Sequence, residues 1–294
     1  MQRTPVSSRR AIVLWASVSL IMQPRFLFLT GEPAATLPLL KERPTWAPVL
    51  SAITFDVIAG RLHRRRSPTD DFRGVVYFAD VRDKDVEQHN LRVLAENEIP
   101  CWPDPAALSA ASLRHAALGR CVAAGLVDHP VVQSPFTREP LLPFPYVLKI
   151  GEEHRGEGKY LIRSARDIPR WDGIASAEPF FEGESVRVLI LGERAFGVRI
   201  QNEGTWIKNA PGASFEAWEP DEAIATHARR AARLFGLEVA GIDYVIDRAG
   251  PHFIELNPFP RVGLSNESAA LARDIFRRAM DPVEASANTS GRTD

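Results

Sequence analysis

Three polar residues near the C-terminus have the types and the spacing of a metal site. Asp243 lies in one apolar, strand-like segment, and Glu255 and Asn257 lie in the next, beyond a turn around Ala249. A hairpin centred on Ala249 would place Asp243 opposite Glu255, with Asn257 on the same face, because opposed and alternate residues of paired strands share a face. Their oxygens suit Mg²⁺, which commonly takes one or two carboxylates plus substrate phosphates. The pattern favours a magnesium site, and a solvated acidic hairpin face is the alternative.

A second hairpin could present two arginines to an anion. If residues 185–200 form a hairpin centred on Glu193, Arg187 lies opposite Arg199. Two opposed guanidinium groups repel unless an anion lies between them, and phosphate fits because arginine binds its oxygens in a bidentate manner. The pattern predicts a phosphate contact, and two solvent-facing arginines are the alternative.

A lysine and two glycines have the character of a phosphate loop. Lys149 ends an apolar segment, and Gly156 and Gly158 follow shortly after it. Glycine lets backbone N–H groups approach phosphate oxygens, and lysine supplies a positive charge. We expect a phosphate-binding hairpin here, although a flexible surface hairpin would show the same residues.

A short segment after this hairpin could recognise a nucleoside. Glu178, Pro179 and Phe180 combine backbone hydrogen-bonding groups with an aromatic ring, which could contact the edge and face of adenine. Glu184 or Ser185 could hydrogen-bond a ribose. A loop whose aromatic residues belong to the core is the alternative.

The elements that must position these residues change in character along the chain. Strands and helices alternate first, which predicts a parallel α/β sheet. The later part is antiparallel. In the first part, strands are predicted at 25–31 (ending in a turn), 75–79 and 99–102, and helices at 34–41, 86–96 and 105–124. In the later part, strands are predicted at 143–150, 160–162, 186–191, 195–200, 239–246 and 252–256, and helices at 221–234 and 267–280.

Read together, the segments between Val75 and Met280 resemble the ATP-grasp superfamily. They are most similar to the branch that contains α-L-glutamate ligases (RimK-type) and related peptide-modifying carboxylate–amine ligases. The resemblance implies an α/β (α+β) fold in which a parallel-sheet lobe precedes a small α+β lobe and a larger antiparallel lobe that clamp ATP. The implied divisions are an extension at 1–22, an N-terminal domain at 23–110, an ATP-grasp domain at 111–283 and a disordered tail at 284–294. The ATP-grasp domain would contain a small lobe at about 140–182 and a C-terminal lobe at about 183–283.

The resemblance also implies roles for individual residues. Asp243, Glu255 and Asn257 would hold one or two Mg²⁺ ions, for which Mn²⁺ could substitute. Lys149 and Arg199 would act on the transferred phosphate. The remaining residues implied to bind ATP are Arg114, Gly156, Gly158, Glu178, Pro179, Phe180, Glu184, Ser185, Arg187, Lys208 and Asn209.

The sequence departs from the family pattern at three places. Arg114 stands where the family usually has lysine, and Ile207 stands where it usually has arginine, with Lys208 as a partial replacement. Residues 210–213 are apolar and small where glutamate ligases commonly carry a basic, glycine-rich stretch. Nucleotide handling is therefore expected, but glutamate as the donor substrate does not follow.

The implied function is an ATP- and magnesium-dependent ligase that joins a carboxylate to an amine through an acyl phosphate. The substrates would be small molecules or peptides. A kinase of the same fold and a non-catalytic ATP-binding protein are the alternatives, and a homo-oligomer is left open.

Composition limits the other functions. The net charge of −1 provides no overall attraction to nucleic acid or to an anionic membrane, so neither partner is expected. Only two cysteines occur, without a CxxC spacing, which favours a reducing, cytoplasmic location over a disulfide framework. The apolar run at 11–22 follows Arg9 and Arg10; it is interpreted as part of an upstream over-read, a targeting segment or a packed helix.

Overall fold

The computed structural model describes residues 25–49, 55–58, 61–64, 72–81, 83–152, 158–208 and 212–290. The interpretations of residues 1–22 and the predicted ATP contacts of Gly156 and Asn209 lie outside these residues. Among the helices in these ranges, none combines the length and the apolar character needed to cross a lipid bilayer.

The N-terminal part is built on a parallel sheet, as predicted. The strands are β1 (Phe26–Thr30), β2 (Trp46–Val49), β3 (Phe55–Ile58), β4 (Arg61–Arg64), β5 (Gly74–Phe78) and β6 (Cys101–Trp102). The sheet has the order β2-β1-β5-β6, and a small hairpin of β3 and β4 lies beside it. The β2 strand contains Pro48 and is at the edge of the sheet, where a residue without an N–H is tolerated.

Four helices belong to this part: α1 (Pro33–Lys41), α2 (Lys84–Glu96), α3 (Pro105–Ser112) and α4 (Arg114–Ala123). The prediction of one helix over 105–124 is wrong, because Leu113 is extended (φ −89°, ψ 107°) and separates α3 from α4. The break makes Arg114 the first residue of a new helix. Its backbone N–H, which has no partner within the helix, donates instead to the Glu152 carboxylate.

The small lobe is a second sheet, in the order β7-β10-β8-β9, in which every neighbouring pair is antiparallel. Its strands are β7 (Val132–Ser134), β8 (Tyr146–Ile150), β9 (Lys159–Ile162) and β10 (Ala175–Pro179). One face buries an apolar cluster that includes Tyr146, Leu148 and Trp171. The other face is left for the site.

The large lobe is an antiparallel sheet in the order β13-β12-β11-β14-β15. Its elements are β11 (Glu184–Leu191), β12 (Arg194–Gln201), β13 (Ser214–Trp218), α5 (Glu222–Leu234), β14 (Val239–Asp247), β15 (Gly250–Asn257) and α6 (Asn266–Ser290). Apolar residues of β11 and β14 pack on α5 with one face and on α6 with the other.

The last helix ties the large lobe to the N-terminal sheet. Phe276 and Met280 of α6 are buried against Phe28 and Val76 of the parallel sheet. The predicted end at Met280 and the predicted disorder over 284–290 are wrong, because Val283 and Ala287 continue the buried stripe of the helix. Burial of this stripe stabilises the extra turns although the segment is rich in Ser, Asn and Thr.

Candidate active site

A cavity of about 310 Å³ lies between the small and large sheets. One wall is the face of β8, β9 and β10 that is turned away from the apolar cluster of the small lobe. The opposite wall is formed by β11, β14 and β15. The connection from β10 to β11 closes one end. This volume is within the usual range for small-molecule sites.

A buried ion pair lies on the small-lobe wall. Lys149 Nζ is 2.6 Å from Glu178 Oε1, and the two side chains are only 3% and 2% exposed. The register of β8 and β10 brings them together, because Glu178 pairs with Val147, which lies two residues before Lys149 on the same face. Burial acts to raise the pKa of Glu178, but Lys149 and His129 lower it below its ordinary value. The lowered pKa favours the ionised form of the Glu178 carboxyl.

Lys159, which was not predicted as a site residue, lies beside Lys149. Lys159 on β9 pairs directly with Lys149, so two ammonium groups point into the cavity from adjacent strands. Burial lowers the pKa of Lys159 below its ordinary value, while Glu255 acts to raise it. Two opposed cations, which a bound anion would stabilise, are therefore present. They lie on the β8–β9 hairpin and not on the hairpin at 185–200, where the sequence predicted such a pair. The signal in the sequence was the symmetric position of these lysines about the glycine-containing turn.

On the opposite wall, Asp243 pairs with Glu255, and Asn257 shares their face through its pairing with Gly241. This part of the predicted geometry is confirmed. The turn itself differs from the prediction, because Asp247 pairs with Gly250 and the loop is one residue shorter. A β-bulge just beyond Asp243 restores the predicted register at the two carboxylates.

Cations surround the Glu255 carboxylate. Lys159 Nζ reaches across from the other wall to within 3.6 Å of Oε2, and Arg114 Nε lies 3.9 Å from the same oxygen. Burial acts to raise the pKa of Glu255, but Lys159, Arg114, Lys149 and Arg187 together lower it well below its usual range. Arg114 is held in place by its bond to Gly151 O, 3.2 Å away.

The predicted opposition of Arg187 and Arg199 is wrong. The loop between β11 and β12 has two residues, Gly192 and Glu193, so Arg187 pairs with Val198 and Arg199 pairs with Val186. A shift of one residue moves a side chain to the other face of a sheet. Gly192 has φ of +59°, which suits a short hairpin turn.

The two arginines consequently have different partners. Arg187 makes a buried, bidentate contact with Asp243, with Nε–Oδ1 at 2.5 Å and Nη2–Oδ2 at 2.7 Å. Arg199 lies on the other face, where Nε is 2.6 Å from the Glu184 carboxylate. Neither Arg199 nor Glu184 is among the described residues that line the cavity, so the geometry gives no support to their predicted contacts with phosphate and ribose.

The other end of the cavity is apolar. Phe180 meets Trp206 edge-on at 6.0 Å between ring centroids, and Phe181 and Ile207 also line this end. Ile207 thus adds to an apolar wall where a family arginine would bring charge. Lys208 lines the same region and donates to Asn202 O at 3.1 Å.

The remaining predicted residues lie at three places. Pro179 and Ser185 line the cavity. Arg114 and Asn257 line a smaller adjoining space with Glu255, while Gly158 closes the β8–β9 hairpin through its carbonyl, which accepts from Ile150 N at 2.8 Å. Gly158 has φ of +69°, a conformation that favours glycine.

The oxygen set on the β14–β15 hairpin fits Mg²⁺ in chemistry. Asp243 and Glu255 offer carboxylates on one face, and Asn257 offers an amide oxygen, which now accepts from Phe259 N at 2.9 Å. Both carboxylates are at present neutralised by Arg187, Lys159 and neighbouring cations. A divalent ion alone would have to displace these partners, whereas an ion that arrives with phosphates would bring new partners for them.

Known proteins match parts of this chain in sequence. No family model matches the chain. A probable α-L-glutamate ligase of Nitrosococcus oceani is 32% identical over 164 residues, which cover 51% of this chain and 53% of that protein. A second, from Rhodopirellula baltica, is 32% identical over 106 residues, which cover 35% of this chain and 26% of that protein. The matched part thus spans about half, or less, of these relatives. The predicted resemblance to this branch is confirmed.

Solved structures match over a greater length. D-alanyl-alanine synthetase A of Vibrio cholerae aligns with a TM-score of 0.62 at 14% identity, covering 91% of this chain and 99% of that one. The ligase PsnB, solved with a minimal precursor, Mg and ADP, aligns with a TM-score of 0.60 at 14% identity, covering 89% and 99%. The chain has the ATP-grasp fold. The predicted fold class is confirmed.

Proposed function

We propose that the chain is an ATP- and Mg²⁺-dependent ligase that joins a carboxylate to an amine through an acyl phosphate. One observation carries this proposal: two opposed lysines on one wall, Lys149 and Lys159, face two opposed carboxylates on the other, Asp243 and Glu255. An apolar end with aromatic rings adjoins this charged end. A nucleoside triphosphate has the matching division into a flat base and a charged tail.

The ion pairs across the cavity define what a nucleotide would change. Lys159 now neutralises Glu255, and Arg187 neutralises Asp243. The phosphate oxygens would become the partners of Lys149 and Lys159. Asp243, Glu255 and Asn257 would then bind Mg²⁺. When bound, Mg²⁺ would supply Lewis-acid stabilisation of the charge on the phosphates.

This exchange makes metal binding depend on nucleotide. Mn²⁺, used as a spectroscopic substitute, should bind the protein weakly alone and at least about tenfold more tightly with ATP, measured by electron paramagnetic resonance. The Glu255→Gln variant should lose the ATP-dependent part. Equal Mn²⁺ binding with and without ATP would contradict the exchange.

The reaction needs no nucleophilic side chain. A substrate carboxylate oxygen bonds to the γ-phosphorus, the bond to the bridging oxygen breaks, and ADP leaves. The amine nitrogen then bonds to the acyl carbon, inorganic phosphate leaves with the electron pair, and the amine loses a proton to solvent or buffer. Lys149 and Lys159 would bind and orient the phosphates, and Lys208 would contact the nucleotide from the apolar end. The enclosing walls would exclude water that would hydrolyse the acyl phosphate.

The proposed substrates are a small-molecule or peptide carboxylate and an amine. Support comes from the names of the relatives and of the solved ligases. The test is an ADP-release screen of the full chain against paired pools of carboxylates and amines, including peptides. ADP release that requires both pools supports the ligase. A stable phosphorylated product formed without an amine would indicate a kinase, and a higher melting temperature with ATP but no ADP release would indicate a binding protein.

A matched pair of variants ties the activity to the site. Glu255→Gln should abolish ADP release and leave the circular dichroism spectrum unchanged, since the substitution keeps the size of the side chain. Glu203→Gln, at an exposed position outside the cavity, should leave ADP release unchanged. Turnover that survives in Glu255→Gln would refute the role given to the hairpin.

A further inference from the structure

A cluster of two histidines and one aspartate lies behind the connection from β10 to β11, outside the cavity. Asp128 and His129 belong to the segment between α4 and β7, and His252 belongs to β15. One ligand atom from each of the three residues lies within 4.8 Å of the others. Residues 123 positions apart in the sequence, His129 and His252, therefore converge on one point.

The converging atoms are the Nδ1 nitrogens. His129 Nδ1 is 3.3 Å from Asp128 Oδ1, and His252 Nδ1 is 3.9 Å from the same oxygen. Ligand atoms about 2.0–2.2 Å from a tetrahedral zinc ion are roughly 3.3–3.6 Å apart. The two distances to the Asp128 oxygen, 3.3 and 3.9 Å, are close to that spacing.

The opposite ring nitrogens face carboxylates. His252 Nε2 is 3.0 Å from Asp247 Oδ1, and His129 Nε2 is 3.7 Å from Glu178 Oε2. An ionised carboxylate can only accept a hydrogen bond, so the ring nitrogen nearer to a carboxylate carries the hydrogen. For His252 this nitrogen is Nε2, beside Asp247, which in a neutral imidazole leaves a lone pair on Nδ1. For His129 the nearer contact is from Nδ1 to Asp128.

The lone pair of His252 Nδ1 and the Asp128 oxygen then face each other without a hydrogen between them, which is repulsive unless a cation lies between them. The side chain of His252 is 12% exposed, and neither of its ring nitrogens makes a hydrogen bond of standard geometry to a described residue. Histidines whose outer nitrogen faces a carboxylate are the usual form of histidine at metal sites. The rings are also held in place, because Phe181 stacks on His252 at 3.8 Å and meets His129 edge-on at 5.0 Å.

We propose that Asp128, His129 and His252 bind a divalent transition-metal ion of the zinc class, at a site separate from the nucleotide cavity. Two imidazoles and one carboxylate suit zinc and its neighbours in the periodic table, while Mg²⁺ prefers oxygen ligands alone. The Asp128 side chain is 66% exposed, which provides a path for the ion. The bound metal would link the segment after α4 to the β14–β15 hairpin.

The test uses the full chain after removal of metals with a chelator. Zn²⁺ is titrated at neutral pH, without nucleotide, in competition with a chromophoric chelator, and Co²⁺ is added separately to record its visible absorption. One equivalent of Zn²⁺ should bind in a large excess of Mg²⁺. Co²⁺ should show bands of a site with nitrogen ligands.

Three variants assign the site. His252→Gln and Asp128→Asn each remove a ligand and should weaken Zn²⁺ binding by more than the roughly 10–100-fold typical of a change outside the ligand set. Asp247→Asn changes the group behind His252 and leaves the three proposed ligands in place, so its effect should fall within that range. His89→Gln, in α2 and outside the cluster, should bind Zn²⁺ as the wild type does.

The outcome does not depend on the ligase reaction, because no ATP is present. If His252→Gln does not fold, the exposed position of Asp128 keeps Asp128→Asn available. Failure of the wild type to bind Zn²⁺ at neutral pH would overturn the proposal. Binding that survives unchanged in His252→Gln and in Asp128→Asn would overturn it as well.

Discussion

The buried Lys149–Glu178 pair allows a test of how the site couples stability to binding. We consider Lys149→Met, Glu178→Gln and the double variant. Each single change leaves one charge buried without its main partner, at a position that is at most 3% exposed. Breaking a buried ion pair from one side typically costs about 3–5 kcal/mol.

The double variant should recover much of this loss. With both charges removed, the remaining cost is that of imperfect packing and of the hydrogen bond from Lys149 Nζ to Ile254 O, which is about 1 kcal/mol. We therefore expect a coupling energy of at least about 2 kcal/mol between the two positions. Urea unfolding of the nucleotide-free protein, followed by circular dichroism, measures all four free energies.

The matched control is the exposed pair Arg233–Glu193, whose charged atoms are 2.5 Å apart, against 2.6 Å in the buried pair, with side chains 62% and 77% exposed. Its coupling energy should be below about 1 kcal/mol because water screens the pair. ATP binding should be lost in Lys149→Met and in the double variant alike, since stability is restored but the cation is not. Additive effects of the two buried substitutions, within about 0.5 kcal/mol, would refute the reasoning.

Three further predictions concern packing and pH. In Gly241→Ala the new Cβ would lie 2.9 Å from Pro260 Cβ, so the free energy of unfolding in urea should fall by about 1–3 kcal/mol, whereas Gly263→Ala, with open space around it, should change little. Burial lowers the pKa of His227, so the folded state favours the neutral ring. The free energy of unfolding should therefore fall as the pH drops below about 6.5, the pKa of histidine in the unfolded chain. This fall should be smaller in His227→Gln. Burial raises the pKa of the Cys121 thiol to about 12. A thiol reagent at neutral pH should therefore label Cys121 only after urea unfolds the chain. Rapid labelling of Cys121 in the native protein would contradict this burial.

The geometry of the β14–β15 hairpin could be predicted because it is local. Alternation along two apolar strands, joined by a short turn, places Asp243 and Glu255 on one face wherever the strands pair in the expected register. The register at the turn was one residue off, and the bulge beside Asp243 compensated for the error. The success therefore depended on an irregularity that periodicity does not reveal.

The arginine hairpin shows the same error without compensation. A two-residue turn at Gly192 and Glu193 shifts Arg199 to the opposite face, and β11 and β12 pair without a bulge over the whole hairpin. A single residue in the turn decided whether two cations shared a face. Loop length and turn type fix the register of a hairpin, and several turns are compatible with these residues.

Other contacts depend on long-range packing. Lys159 approaches Glu255 only because two separate sheets face each other, and Arg114 points at Glu255 only because a helix breaks at Leu113. The His129–His252 cluster joins segments that are distant in sequence. The continuation of the last helix beyond Met280 likewise depends on its burial against the N-terminal sheet, which overrides the weak helix preference of its residues.

The most direct test of the central claim is to measure ADP and hydroxamate in one reaction. Hydroxylamine traps an acyl phosphate, so the full chain with Mg²⁺, ATP, the active carboxylate pool and hydroxylamine should yield ADP and hydroxamate in equal amounts, and Glu255→Gln should yield neither. Release of ADP without hydroxamate, or the same yield from Glu255→Gln as from the wild type, would contradict a ligase that activates a carboxylate at this hairpin.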